Sequence, residues 1–439
     1  MKVTGQDTMN DEAIVKRIKK IRPLNNAHNR EFFAELVAEY YKNRLNLRVG
    51  SEVVDALKNE KTVLIEASHG AQLGHLGIHR LYLKGADIAK KAENAVMLFL
   101  AGDQYQPSMY PEINRIYFPR RGKRGSPFLL PIKKEDRRKP LYGIPPPTEK
   151  NILRLKNQIL GLSGQSFHYF CERHGIMKKD VDKSFFINNL EHMVEVLVDS
   201  SKKTKNYADF VVRSQIILLG EVFHELFDRY IVFFPISMLR YLPGFSSTLE
   251  DMEKINRYKI RVSEFQRLRG HKPYLTGDIP PNMSPFWYHC PMCYSRNRAT
   301  VSGRDASYTC TTCGMRVVQK IDEGFSNPDI VFSQILTPVS IGTAARIVGH
   351  LHPYAEVVDE YLSKELGVSP PERLVLSTYP VFHGLGDADG GDARCSLVRA
   401  LLEAERGSLR KLALDDWSSC PAIYSHYYRY VSPGHGGGA

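Results

Sequence analysis

The sequence has no apolar run long enough to cross a bilayer, which takes about 20 residues. Its most apolar stretch, Tyr230–Leu239, is short and carries Pro235. The opening residues, MKVTGQDTMNDEAIVKRIKKI, hold neither a continuous apolar core nor a small-residue cleavage site, so no secretory signal is expected. Cysteine is sparse and odd in number, seven in 439 residues. That count argues against a disulfide framework and predicts a reducing, cytoplasmic setting. Acidic residues are the minority charge, 48 Asp and Glu against 60 Lys and Arg, a formal +12. The excess favours anionic partners (phosphates, nucleotides or nucleic acid) without choosing among them. Hydrophobic residues at 43% and charged residues at 25% argue against disorder over the whole chain. The length suits about three domain-sized units, or one large α/β domain with insertions.

The pattern changes along the chain. Residues 1–60 read as helices packing on a core: EFFAELVAEYYKNRL has helical spacing, and Ser51 opens a capped second helix. Residues 61–145 read as the first half of that core. Thr62-Val-Leu-Ile-Glu-Ala is a buried strand, Ser68–Gly77 a Gly-rich turn, and Ile78 to about Ala92 a helix. A second strand, Ala95–Ala101, ends in Gly102-Asp103-Gln104. This βαβ succession predicts a parallel sheet with a site at the strand C-termini. Within it, residues 115–140 read as a basic loop. Residues 146–270 read as a helical insertion, suited to dimerisation or to capping a substrate; Thr248 would cap its last helix. Residues 271–325 hold a cysteine module. Residues 326–432 return to apolar β-type runs, Ile330-Val-Phe and Ala345-Arg-Ile-Val, and to helices; 433–439 is a Gly-rich tail.

The cysteine module carries the most specific signal. Cys290-Pro-Met-Cys293 is followed, sixteen residues on, by Cys310-Thr-Thr-Cys313-Gly. Each C-x-x-C sets two thiolates on one side of a tight knuckle, and two knuckles complete a tetrahedral cage for Zn²⁺. Four sulfur ligands leave no open position, so the zinc is expected to be structural. A redox pair is the competing reading. His289 adjoins the first knuckle without being needed as a ligand.

Ser68-His69-Gly70-Ala-Gln72-Leu-Gly74-His75-Leu-Gly77 sits where the first strand meets a helix. Glycines there let a phosphate approach the backbone, and a helix N-terminus offers free N–H groups. Histidines can donate to phosphate oxygens as charge shifts in adenylyl transfer. Gly74-His75-Leu-Gly77 loosely resembles the His-x-Gly-His signature of class I aminoacyl-tRNA synthetases, although His69 precedes His75 by six residues rather than three. Asp103, at the end of the second strand, would face the same crevice and hold an amine, a ribose or a metal-bound nucleotide; the plainer reading is a turn cap.

Other clusters are weaker. Glu221-Val-Phe-His224, with Glu191, His192 and Glu195, has part of a di-iron pattern but lacks the full set. Asp387, Asp389 and Asp392 do not complete an EF-hand and read as an acidic loop. Cys171, Cys395 and Cys420 read as ordinary thiols.

Taken together these segments resemble the bacillithiol-synthesis cysteine-adding enzyme family, which has a class I synthetase-like Rossmann core. The residues are Glu66-Ala-Ser-His69-Gly-Ala-Gln-Leu, Gly77, Leu81-Tyr82-Leu-Lys84, Gly102-Asp103-Gln104-Tyr105 and Pro111-Glu112-Ile113-Asn114. The late segment Ile341–Ala355, with Gly349, His350 and His352, matches the family's Gly-rich loop in place only. The resemblance covers roughly residues 30–120 and 325–365. The acidic quartet of the family is reduced to Asp103, and its Gly-Pro-Gly-Glu loop is replaced by His350-Leu-His352-Pro. It implies a Rossmann-like core; with the helical insertion and the cysteine module read above, the expected fold is α/β, a Rossmann-like parallel sheet split by a long helical insertion and a zinc ribbon, the ribbon being a departure from the family. It also implies a ligase or aminoacyl transferase joining an amino acid, cysteine among the options, to an amine-bearing small molecule or peptide. The donor would be an adenylate made from ATP or an aminoacyl ester such as aminoacyl-tRNA. On this reading His69, His75 and Asp103 are catalytic. Ser68, Gly70, Gln72, Gly74, Gly77, Lys84, Gly349, His350 and His352 line the nucleotide or acceptor site. The alternative is a non-catalytic zinc-ribbon protein that binds nucleic acid through the ribbon and the basic residues 115–139, where Tyr117 and Phe118 could stack on bases.

Overall fold

The computed structural model describes residues 11–375 apart from 24–26, 74–75, 109–112, 121–122, 175–182, 222, 244–251, 269–281, 285–286, 321–325, 328–329 and 349–354. Thr248, the acidic loop with Asp387, Asp389 and Asp392, Cys395, Cys420 and the tail 433–439 lie outside the described residues.

Five strands form one wholly parallel sheet: β1 (Val63–Gly70), β2 (Ala95–Gly102), β3 (Ile231–Pro235), β4 (Thr343–Val348) and β5 (Glu372–Val375). Their spatial order is β5-β4-β1-β2-β3, so the succession reverses between β1 and β4. β2 is apolar and wholly buried, and β1 is buried apart from Ser68 and His69, as interior strands covered on both faces must be.

Eleven α-helices accompany the sheet among the described residues. They are α1 (Asp11–Ile18), α2 (Ala27–Glu39), α3 (Ser51–Lys58) and α4 (Leu76–Ala92), then α5 (Glu149–His174), α6 (Lys183–Lys203), α7 (Tyr207–Gly220) and α8 (His224–Arg229). Past β3 come α9 (Met252–Leu268), α10 (Ile330–Ile341) and α11 (Ala355–Lys364). One aromatic cluster joins α4, β2 and β3: Tyr82, Phe99 and Phe233 meet edge to face, with centroids 4.8 to 5.4 Å apart. Among the described residues no helix is long and apolar enough to cross a membrane.

Several elements differ from the sequence expectation. Ile231–Pro235, inside the stretch read as a helical insertion, pairs with Met97–Ala101 as the edge strand of the sheet. A short apolar run carries no period that separates strand from helix, and only its long-range partner decides. Ile330-Val-Phe, read as β-type, instead opens α10, which contains Pro338. Proline removes the N–H that would bond the carbonyl of Gln334. The Arg346 guanidinium on β4 donates to that carbonyl at 2.6 Å in its place. Residues 115–129, read as loop, pair as an antiparallel hairpin with Arg120 opposite Lys123. Gly50, not Ser51, caps α3, with no side-chain bond. Finally, β1 runs on through His69 and Gly70, so the Gly-rich turn is shorter than its sequence suggests.

Candidate functional site

β1 and β2 run in register from Val63 beside Ala95 to Gly70 beside Gly102. His69 therefore stands next to Ala101, and Asp103 follows directly at the neighbouring exit. The pairing brings together the His69 and Asp103 ends of the predicted site. Ser68 and His69 are half-buried. Gly77 lies in the first turn of α4, and Lys84 is buried well inside it. Gly74, His75, Gly349, His350 and His352 lie outside the described residues.

Gly70 has a different use from the one its sequence suggests. A Cβ on Gly70 would lie 3.0 Å from Tyr105 Cδ2. One on Gly102 would lie 2.6 Å from the same atom and 3.1 Å from Gly70 Cα. The paired glycines admit the Tyr105 ring across both strand ends, and a phosphate approaching Gly70 would meet that ring.

Asp103 is fully buried. One carboxylate oxygen accepts from the Ser237 backbone N–H at 2.9 Å and the other from the Ser237 hydroxyl. Ser237 belongs to the 3₁₀ turn Ile236–Tyr241 after β3. Asp103 thus caps that turn from the next strand, and its carboxylate is buried away from any substrate amine. Burial raises its pKa to about 6, against the Arg44 charge and the Ser237 hydrogen bonds that lower it. Arg44 holds Asp209 of α7 through two N–H groups, each at 3.0 Å. Tyr40 also donates to Asp209, at 3.3 Å. Sequence reasoning missed Ser237, Arg44 and Asp209. A serine just beyond an apolar run ending in proline was the one local signal for Ser237.

Gln72 is buried, and its backbone carbonyl accepts from Gln215 of α7. The side-chain oxygens of Gln72 and Gln104 are buried, with no hydrogen-bond partner among the described residues. They are two polar positions at adjoining strand exits.

The four cysteines come together. Their sulfur atoms all lie within 4.8 Å of one another, and the cluster could hold a metal ion such as zinc. Cys290 and Cys313 sulfurs are 3.6 Å apart, as are those of Cys293 and Cys310. The two knuckles repeat one geometry. Tyr294 N–H donates to the Cys290 carbonyl at 2.8 Å, and Gly314 N–H to that of Cys310 at 2.9 Å. The donor chemistry fits the metal. N–H groups of Thr312 and Cys313 point at the Cys310 sulfur, at 3.4 and 3.5 Å. Burial raises the Cys310 thiol, but the Ser295 hydroxyl and those two amides outweigh it and lower it to about 5. Around the knuckles lie two short antiparallel sheets, Thr300–Ser302, Asp305–Thr309 and Arg316–Lys320 in one, Trp287–His289, Arg296–Asn297 and Ser326–Asn327 in the other.

Among the described residues no other group of His, Cys, Asp or Glu has metal-binding geometry. His192 is hydrogen-bonded to Glu221 at 2.8 Å, and Glu225 forms an ion pair with Lys90 at 2.5 Å, so both carboxylates have partners other than a metal. Compared with known proteins, the chain matches no family model and no curated protein.

Proposed function

We propose that the chain is a synthetase-like enzyme joining an amino acid to an amine-bearing small-molecule or peptide acceptor. Its core is read as Rossmann-like, split by the helical segment and by a cysteine module holding structural Zn²⁺. The observation that carries the reading is the strand order, which counted along the chain is 3-2-1-4-5 and reverses beside β1. In open parallel sheets ligands lie beyond the strand C-termini at such a reversal. Ser68 and His69 end the strand that borders it.

On this reading the half-buried His69 donates a hydrogen bond to an oxygen gaining negative charge. The acceptor amine attacks the activated carboxyl carbon. The C–N bond forms, the C–O bond to the phosphate or ester oxygen breaks with its electron pair going to that oxygen, and the proton lost by the ammonium passes to the departing oxygen or to water. Asp103 acts indirectly, fixing Ser237 and the turn that borders the site. ATP and aminoacyl-tRNA both remain candidate sources of the activated carboxyl.

The test is amino-acid-dependent exchange of pyrophosphate into ATP across the twenty amino acids, beside transfer from labelled aminoacyl-tRNA to simple amines. One of the two should appear, and His69→Ala should abolish it with fold and metal content unchanged. Neither activity in the unaltered chain would sink the proposal.

A second reading, nucleic-acid binding without catalysis, draws support from the hairpin that sets Arg120 opposite Lys123. It expects binding to single-stranded RNA that falls steeply with salt and is lost when Arg120, Arg121, Lys123 and Arg124 are reversed to Glu.

A further inference from the structure

The segment Arg137–Gly143 is a strut between the exit of β2 and the first cysteine knuckle. On one side it is bonded to the residues just past β2. Tyr142 N–H donates to the Asp103 carbonyl at 3.2 Å, and Leu141 N–H to that of Tyr105 at 3.1 Å. Ser108 N–H donates to the Arg137 carbonyl at 2.9 Å, and the Gln106 side chain to that of Arg138 at 2.5 Å. On the other side it meets the two residues that flank Cys290–Cys293. The Tyr142 hydroxyl is 2.5 Å from His289 Nδ1, and the two rings meet edge to face with centroids 5.3 Å apart. Lys139 Nζ lies 5.8 Å from the centre of the Tyr294 ring. A Cβ on Gly143 would come within 3.0 Å of Tyr294 Cδ1.

The two knuckles differ at one informative place. Both need a left-handed residue after the second cysteine. The second knuckle uses Gly314, φ 74°, where an added Cβ would meet nothing within 4 Å. The first uses Tyr294 at φ 58°. A tyrosine is strained in that region where a glycine is not. What the strain supports is visible: the Tyr294 ring packs on the strut. His289, beside it, is wholly buried, and its carbonyl accepts from Tyr308 at 3.2 Å, which ties it to the second knuckle's hairpin as well.

We infer that the first knuckle is a positioning element for the β2 exit. The metal bound by the four cysteines holds His289 and Tyr294, these hold Tyr142 and Gly143, and the strut holds Asp103–Ser108. Metal occupancy therefore sets the order of a site on a different sheet. Without the metal the two C-x-x-C turns are joined only through hydrogen bonds such as Thr311 N–H to Asn297 Oδ1 at 3.0 Å and the Tyr308 hydroxyl to the His289 carbonyl, and both contacts with the strut loosen. The inference does not depend on the chemistry proposed above.

The test is hydrogen exchange read by mass spectrometry on the full chain, zinc-loaded and after chelation. Chelation should speed exchange of the Ser108, Leu141 and Tyr142 amides by about three- to ten-fold, the order expected for a lost hydrogen bond. Amides in the centre of β1 and β2 should keep their protection. In the zinc-loaded chain Tyr142→Phe should speed the same three amides with zinc content unchanged. Tyr294→Gly should do so too, although it relieves the strained backbone. Faster exchange confined to 287–320 after chelation would overturn the inference. If the stripped chain loosens throughout, Tyr142→Phe decides: no change at Ser108, Leu141 and Tyr142 would overturn it.

Discussion

Asp103, just past β2, and Ser237, just past β3, are joined by two hydrogen bonds, one to each oxygen of a fully buried carboxylate. The pair welds two adjoining strand exits at the mouth of the candidate site. It also places an ionisable group where its charge is costly.

That placement predicts a pH dependence of stability. Asp103 stands at about 6 in the folded chain against an ordinary 3.8, with burial the main cause. A raised pKa means the folded state binds the proton more tightly. The stability this group contributes is therefore complete below 3.8 and is lost as pH rises through about 6. Over that window the loss is roughly 3 kcal/mol. Asp103→Asn keeps an acceptor for Ser237 but cannot ionise. Urea unfolding at about pH 4 and about pH 7 should show the unaltered chain falling by roughly 2 kcal/mol more than the variant, since pH 4 is already above the ordinary value. Parallel pH profiles would remove Asp103 as the source.

Gly102 should not tolerate a methyl group. Alanine there would drive its Cβ into the Tyr105 ring and against Gly70 Cα, and overpacking of this kind costs about 1–3 kcal/mol. Gly161 on α5, where an added Cβ meets nothing within 4 Å, is the control. Gly161→Ala should stabilise by about 0.5–1 kcal/mol through helix propensity. Thermal unfolding of the two variants should move in opposite directions.

Glu66 and Arg346 face each other on β1 and β4 as a buried ion pair, with Thr337 of α10 donating to the same carboxylate. Removing one partner leaves a buried charge. Arg346→Met should cost about 3–5 kcal/mol, and adding Glu66→Met should recover most of it. Arg346→Met also frees the Gln334 carbonyl opposite Pro338, so recovery should be incomplete until Pro338→Ala restores that N–H. A double-mutant cycle in urea measures both steps. Independent, additive losses would mean that the pair is not coupled.

Metal analysis of the purified chain should return one zinc per molecule. Cys290→Ser or Cys310→Ser should abolish it, because three sulfurs no longer close the site. Cys171→Ser, which leaves all four of these cysteines in place, should leave the content unchanged. A metal-free chain that keeps the fold of residues 287–320 would contradict a structural metal.

The elements read correctly from sequence are those whose cause is local. Val63–Ile65 and Ala95–Ala101 are apolar enough to be buried strands wherever they pair. The two C-x-x-C turns carry their geometry in four residues each. Elements that depend on distant partners were not legible. Ile231–Pro235 is a strand because β2 offers it a free edge. Ile330–Ile341 tolerates Pro338 because Arg346 comes from β4 to satisfy the carbonyl that proline abandons. Arg115–Leu129 is a hairpin although its charges suggested a loop.

The sequence by itself determined the parallel βαβ start, the four-cysteine cluster and the positive charge, since each follows from residue type and short spacing. Tertiary structure alone decided what the site residues do. It turned Asp103 from an open carboxylate into the cap of a turn 134 residues away. It covered Gly70 with Tyr105, and it tied His289 to Tyr142 across 147 residues. Such contacts join residues far apart in the chain, and no local pattern encodes which distant side chain will complete a buried hydrogen bond.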